Sequence, residues 1–239
     1  MIFIETKLKG AYIIELEQHV DERGFFARSW CQRELAEHGL DTNLVQCNIS
    51  LSKQAGTLRG MHYQRAPMAE TKLVRCTWGE IYDVIIDLRP TSPTFLQWVS
   101  VVLSGENRRM LYVPKGFAHG FQSLVDNTEV FYQMGEFYAP EAAAGVRWND
   151  PLFAIEWPLP VSLITAKDQM YADWSPDQFF QTSEFSTPIA AEMMNGALQT
   201  ATRRLALHSL ALHSLAQHSL TQHTKIIPAH QRCTKWQIR

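Results

Sequence analysis

The sequence predicts a mainly-β protein, a sandwich or barrel with a few short helices. Short runs rich in β-branched and aromatic residues recur from residue 1 to about residue 176, and turn signals separate them. No stretch alternates strand-length and helix-length segments, which disfavours a Rossmann-type fold. The end of the chain has a different composition and joins neither pattern.

The strand candidates follow in order. They are Ala11–Glu17, Leu44–Ser50, Thr71–Thr77, Ile81–Leu88, Trp98–Leu103, Met110–Val113 and Glu129–Met134. Turns are marked by Trp78-Gly79-Glu80, by Arg89-Pro90-Thr91-Ser92-Pro93, by Ser104-Gly105-Glu106-Asn107 and by Pro114-Lys115-Gly116. One early helix is predicted over Cys31–His38, with Ser29 as its cap and Gly39 as its stop. Residues 177–204 read as a linker or a peripheral helix, the helix spanning Ile189–Leu198. From Leu205 a five-residue repeat begins (LALHS, LALHS, LAQHS, LTQHT). Residues five apart on a helix are rotated by about 140°, so neither the leucines nor the histidines share a face. His208, His213, His218 and His223 therefore make a poor metal stripe, and 205–239 reads as a low-complexity tail.

Composition bounds the function. The 239 residues are 46% apolar and 19% charged, ample for a core, with a formal net charge of −2. A strongly basic nucleic-acid surface is disfavoured. No run reaches the roughly 20 apolar residues that span a bilayer. Glu5, Lys7 and Lys9 interrupt the N-terminal segment where a signal peptide needs an apolar run. A soluble cytoplasmic protein without membrane contact is expected. Cys31, Cys47, Cys76 and Cys233 form no CxxC pair, so reduced and mostly buried thiols are expected rather than a zinc ribbon or a disulfide scaffold.

The segment richest in chemistry is Thr57-Leu58-Arg59-Gly60-Met61-His62-Tyr63-Gln64. Strand alternation would put Arg59, Met61 and Tyr63 on one face and Leu58, His62 and Gln64 on the other, with Gly60 able to permit a bulge. A single strand histidine reads either as a hydrogen-bonded core residue or as part of a site. Lys72 follows on the next run. His119 sits between glycines in Pro114-Lys115-Gly116-Phe117-Ala118-His119-Gly120-Phe121, which fits either a close backbone approach in a pocket or a simple turn. A His-x-His metal pair is absent, because Gln64 holds the second position. His62 and His119 alone are too few ligands for a tight site, and no metal is expected.

Together these residues resemble the dTDP-4-dehydrorhamnose 3,5-epimerase family. The resemblance covers roughly residues 1–170. It runs through Asp21-Glu22-Arg23-Gly24-Phe25-Phe26, Gln46-Cys47-Asn48-Ile49-Ser50, Leu58 to Gln64 and Lys72-Leu73-Val74. It continues through Gly79 to Val84, Asp87-Leu88-Arg89, Ser92-Pro93-Thr94-Phe95, Pro114 to Phe121, Tyr132, Tyr138-Ala139-Pro140, Trp148-Asn149-Asp150-Pro151 and Ala166-Lys167-Asp168.

The resemblance implies a cupin-like jelly roll and a cofactor-independent epimerisation of a nucleotide-linked 4-keto-6-deoxyhexose. His62 would be the base and Asp168 would bond its other ring nitrogen. Lys72 would face the enolate oxygen and Tyr132 would donate the proton across the ring. Arg59 and His119 would hold the sugar and its keto oxygen. Arg23 would contact the diphosphate, Phe26 and Tyr138 would flank the base, and Gln46 and Asn48 would line the pocket. Part of that nucleotide site would come from a partner chain, which implies a homodimer.

Four positions depart from the family pattern. Arg28 stands where a carboxylate is usual, and Ala143 lies near the place of another. Glu70 stands for a Gln, and Leu96 for a common Gly. Arg28 carries two readings. It either shifts base preference from thymine toward a CDP- or GDP-linked sugar, or it turns to solvent or the diphosphate and leaves dTDP in use. Epimerisation at one carbon only, a keto-shifting isomerase and a non-catalytic nucleotide-sugar-binding jelly roll remain alternatives.

Overall fold

The structure is a computed structural model and describes residues 1–175 together with Gly196 and Gln199. Apart from those two positions, the expected linker over 177–204 and the tail over 205–239 lie outside the described residues.

The chain opens with β1 (Ile2–Glu5), β2 (Tyr12–Glu15), a hairpin of β3 (His19–Asp21) and β4 (Gly24–Phe26), and α1 (Gln32–Glu37). It continues through β5 (Gln46–Ser52), β6 (Leu58–Gln64), β7 (Lys72–Trp78), β8 (Glu80–Asp87) and β9 (Trp98–Ser104). Then follow β10 (Met110–Val113), β11 (Phe117–Ser123), β12 (Thr128–Met134), β13 (Ala143–Gly145) and α2 (Ala166–Gln169). Two antiparallel sheets form, a six-stranded one in the order β1-β2-β10-β7-β12-β5 and a five-stranded one in the order β13-β6-β11-β8-β9. The sheets are not closed into a barrel, and the chain crosses between them repeatedly, as in a jelly roll.

Period-two patterning explains the layers. Val74, Cys76, Leu111, Val113 and Val130 point inward from one sheet and meet Ile81, Ile85, Leu103, Phe117 and Phe121 from the other. Their alternates Leu73, Met110 and Tyr112 point outward, where Leu35 of α1 covers them with Ile14. The outer face is thus a second, smaller core, and α1 exists to close it.

All seven predicted strands are present with small shifts at their ends. Three expectations need correction. Ser29 does not cap α1. Cys31 occupies the N-cap position and makes no side-chain cap bond. The stop at Gly39 does hold. It takes φ +68°, and the Gly39 and Leu40 N–H groups bond to the Ala36 and Leu35 carbonyls at 2.9 and 3.0 Å, the bond pattern of a Schellman motif. The segment around His119 is not a turn but β11, with every residue from Phe117 to Ser123 buried. Of the three described thiols only Cys76 is buried, since Cys47 is exposed and Cys31 is half-buried. Leu96, where relatives usually have glycine, takes a left-handed φ of +59°, and its side chain is buried.

Candidate active site

The open sandwich holds a cavity of about 570 Å³. β6 furnishes its centre. His62 of β6 stands in register with His119 of β11, and Arg59 with Phe121. Between those pairs β6 has Gly60 and Met61 while β11 has only Gly120, so β6 carries a bulge. The extra residue resets the alternation. Arg59 and His62 both line the cavity and Met61 is fully buried, which corrects the expectation that Arg59 and His62 lie on opposite faces. The bulge needs glycine, because Gly60 has φ +130° and a Cβ there would sit 2.5 Å from Gly120 Cα.

His62 Nε2 lies 2.7 Å from Asp168 Oδ1. Asp168 is buried, and its Oδ2 accepts the Gly60 N–H at 3.3 Å. Its own N–H donates to Thr165 Oγ1, the cap of α2. Burial pushes the Asp168 carboxyl up, but the bond and charge of His62, helped by Gly60 and Thr165, hold it below its ordinary value. An ionised Asp168 fixes the proton on Nε2 and leaves Nδ1 with a free lone pair. His119 has a parallel arrangement, with Nε2 2.6 Å from Oδ1 of the fully buried Asp83.

Lys72 reaches across from the other sheet. Its ammonium bonds Glu70 Oε1 at 3.1 Å and donates to the His62 carbonyl at 3.1 Å. Tyr132 on β12 borders the same cavity. Burial pushes its phenol up, opposed by the charge of Arg59, so it is a protonated phenol at neutral pH. Arg59 is itself held by Ser52 Oγ at 3.3 Å and the Leu51 carbonyl at 3.0 Å. Gln46 bonds Asn48 at 3.4 Å and accepts the Tyr138 N–H at 3.1 Å.

His62, Asp168, Tyr132, Lys72, Gln46, Asn48, Arg59, His119 and Tyr138 thus share one cavity. Arg23, Phe26 and Arg28 are not brought to it within the chain. Arg23 ion-pairs with Asp21 on the exposed β3–β4 hairpin at 2.5 Å, and Phe26 beside it is 75% exposed. Arg28 instead bonds Glu34 of α1 at 2.7 Å. Two departures from the family pattern, Glu70 and Ala143, do line the cavity. Lys167 and Tyr171 line it as well and were not singled out from sequence. Their signal was position, one residue before Asp168 and three residues after it. Among the described residues, no group of three or more His, Cys, Asp or Glu side chains could hold a metal ion. Among the same residues, no helix is long and apolar enough to cross a membrane.

An open two-sheet jelly roll whose cavity gathers His62, Asp168, Lys72 and Tyr132 places the chain in the cupin-like class. The chain matches the dTDP-4-dehydrorhamnose 3,5-epimerase family over residues 5–175. The epimerase of Methanothermobacter thermautotrophicus is 45% identical over 177 residues, which is 73% of this chain and 93% of that protein. The Bacillus anthracis epimerase, solved with TDP and PPi bound, superposes with a TM-score of 0.70 at 44% identity, covering 72% of this chain and 99% of that one. The Legionella pneumophila enzyme, solved in complex with dTDP-4-keto-L-rhamnose, gives a TM-score of 0.65 at 44% identity over 70% of this chain and 89% of that one. The chain belongs to the dTDP-4-dehydrorhamnose 3,5-epimerase family and is an isomerase.

Proposed function

We propose that the chain epimerises a dTDP-linked 4-keto-6-deoxyhexose at C3 and C5 through an enolate. The observation that carries this reading is the His62–Asp168 pair facing one cavity with Lys72 and Tyr132. The C4 ketone acidifies the hydrogens on C3 and C5. His62 takes one of them on its free nitrogen, and the bond electrons pass into the carbonyl to form an enolate. Lys72 has two of its three N–H groups engaged by Glu70 and the His62 carbonyl. The third is left for the enolate oxygen, where a fixed cation in a partly dry site is most effective. Tyr132 then protonates the carbon from the opposite face, inverting it. Its phenolate recovers a proton from water and His62 loses one, so the cycle is neutral in protons and electrons.

The nucleotide reading draws on the relatives solved with TDP and with a dTDP-sugar. Gln46, Asn48 and Tyr138 would border the nucleotide end. Arg23 and Phe26, exposed on their hairpin, would serve the cavity of a second copy, so a homodimer is the working form. The Arg28–Glu34 bond favours the reading in which Arg28 leaves thymine recognition alone and dTDP is used.

Proton exchange in D₂O, read by NMR with dTDP- and CDP-linked 4-keto-6-deoxyglucose side by side, tests this. Deuterium entering at both C3 and C5 with the dTDP sugar is the expected result. Entry at one carbon would make the chain a mono-epimerase. Preference for the CDP sugar would restore the base-switching role of Arg28. No exchange with either would leave a binding protein.

A further inference from the structure

Tyr171 follows α2 and plays no part in the proton transfers above, yet its ring borders the cavity. It stands edge-on to His62, with ring centroids 6.0 Å apart and planes at 67°. Gly145 makes room for it. That glycine is the β13 residue in register with His62, and a Cβ on it would collide with Cε2 and Cζ of the Tyr171 ring. The Gly145 φ lies outside the left-handed region, so its missing side chain serves space and not chain direction. The sequence thus removes a side chain opposite His62 and places an aromatic ring in the vacated slot.

The chemistry gives that ring something to do. C3 and C5 lie on either side of the ketone carbon, and one base must serve both. The sugar therefore has to shift between two poses beside His62, and a rigid wall there limits the shift. We infer that Tyr171, seated in the slot left by Gly145, is a specificity-determining residue that walls the sugar beside His62 and sets how C3 and C5 share that base. This rests on the epimerase reading above.

The test is the initial ratio of deuterium entry at C3 and C5, with the dTDP dissociation constant measured in parallel as a check on the fold. In Tyr171→Ala the ratio shifts on the order of tenfold, the scale on which a pocket contact discriminates. In Tyr171→Phe, which keeps the ring, it stays at the wild-type value. Gly145→Ala displaces the ring and moves the ratio in the same direction as Tyr171→Ala, and it decides the matter should Tyr171→Ala fail to bind dTDP. An unchanged ratio, an equal loss of exchange at both carbons in a variant that still binds dTDP, or a Tyr171→Phe shift as large as that of Tyr171→Ala would overturn the inference. Absence of exchange in the wild-type protein would instead overturn the epimerase reading itself.

Discussion

At the scale of single residues, Asp168 and Tyr132 separate the two halves of the proposed reaction. Asp168→Asn keeps the shape but no longer fixes the proton on His62 Nε2, so kcat falls by about 10²–10⁴-fold with little change in KM. Its effect on stability has a definite sign. The folded-state pKa of Asp168 lies below the reference value of 3.8, so the ionised carboxylate stabilises the fold above that value. The contribution is lost as pH falls through the folded pKa. The stability gap between wild type and Asp168→Asn is therefore present at neutral pH and closes under strong acid, which denaturant titrations at both pH values would read. Tyr132→Phe removes the acid and leaves the base. In D₂O His62 then returns a deuteron to the face it took the proton from, so exchange persists while epimerised product falls by about 10²-fold or more. Equal loss of exchange and product would move the acid elsewhere.

At the scale of elements, the bulge in β6 is where fold and site meet. Gly60→Ala puts a Cβ against Gly120 at a left-handed φ and costs about 1–3 kcal/mol in strain. Because the bulge sets which way Arg59 and His62 face, turnover drops further than the stability change alone explains. Thermal unfolding and kcat/KM on the same variant would show this. The same bulge marks where sequence reading stopped. Strands such as Met110–Val113 were legible as unbroken apolar runs, because both of their faces are buried. β6 was not among the strand candidates, and the faces that strand alternation would give it fail, since one inserted residue inverts the parity of everything after it. β11 was read as a possible turn because Pro114, Gly116 and Gly120 resemble punctuation, whereas Gly120 serves close backbone approach to Gly60. β3, β4 and β13 are only three residues long, too short for periodicity to register.

At the scale of the whole molecule, nine of the twelve residues expected at the site converge on one cavity. Arg23, Phe26 and Arg28 do not: Arg23 and Phe26 lie on the exposed β3–β4 hairpin, and Arg28 is turned to Glu34 of α1. Among the described residues, those that line the cavity all lie at or before Tyr171, and the family match ends at residue 175. Truncation after about residue 180 is therefore expected to leave kcat and the proposed dimer unchanged by steady-state assay and sedimentation. Loss of the soluble dimer would show that the later residues pack on the sandwich.

The strand order carries a consequence for biosynthesis. Among the described residues β5 pairs with β12 alone, residue for residue from Thr128↔Ser52 to Met134↔Gln46. On the ribosome β5 emerges long before its one neighbour has been translated, with Ile49 and Leu51 among its exposed side chains. Until Met134 has been made, its backbone is an open template for the wrong strand. Slow synthesis through residues 53–127 prolongs that interval, so the yield of native protein should depend on translation speed across this window and on chaperone supply during it.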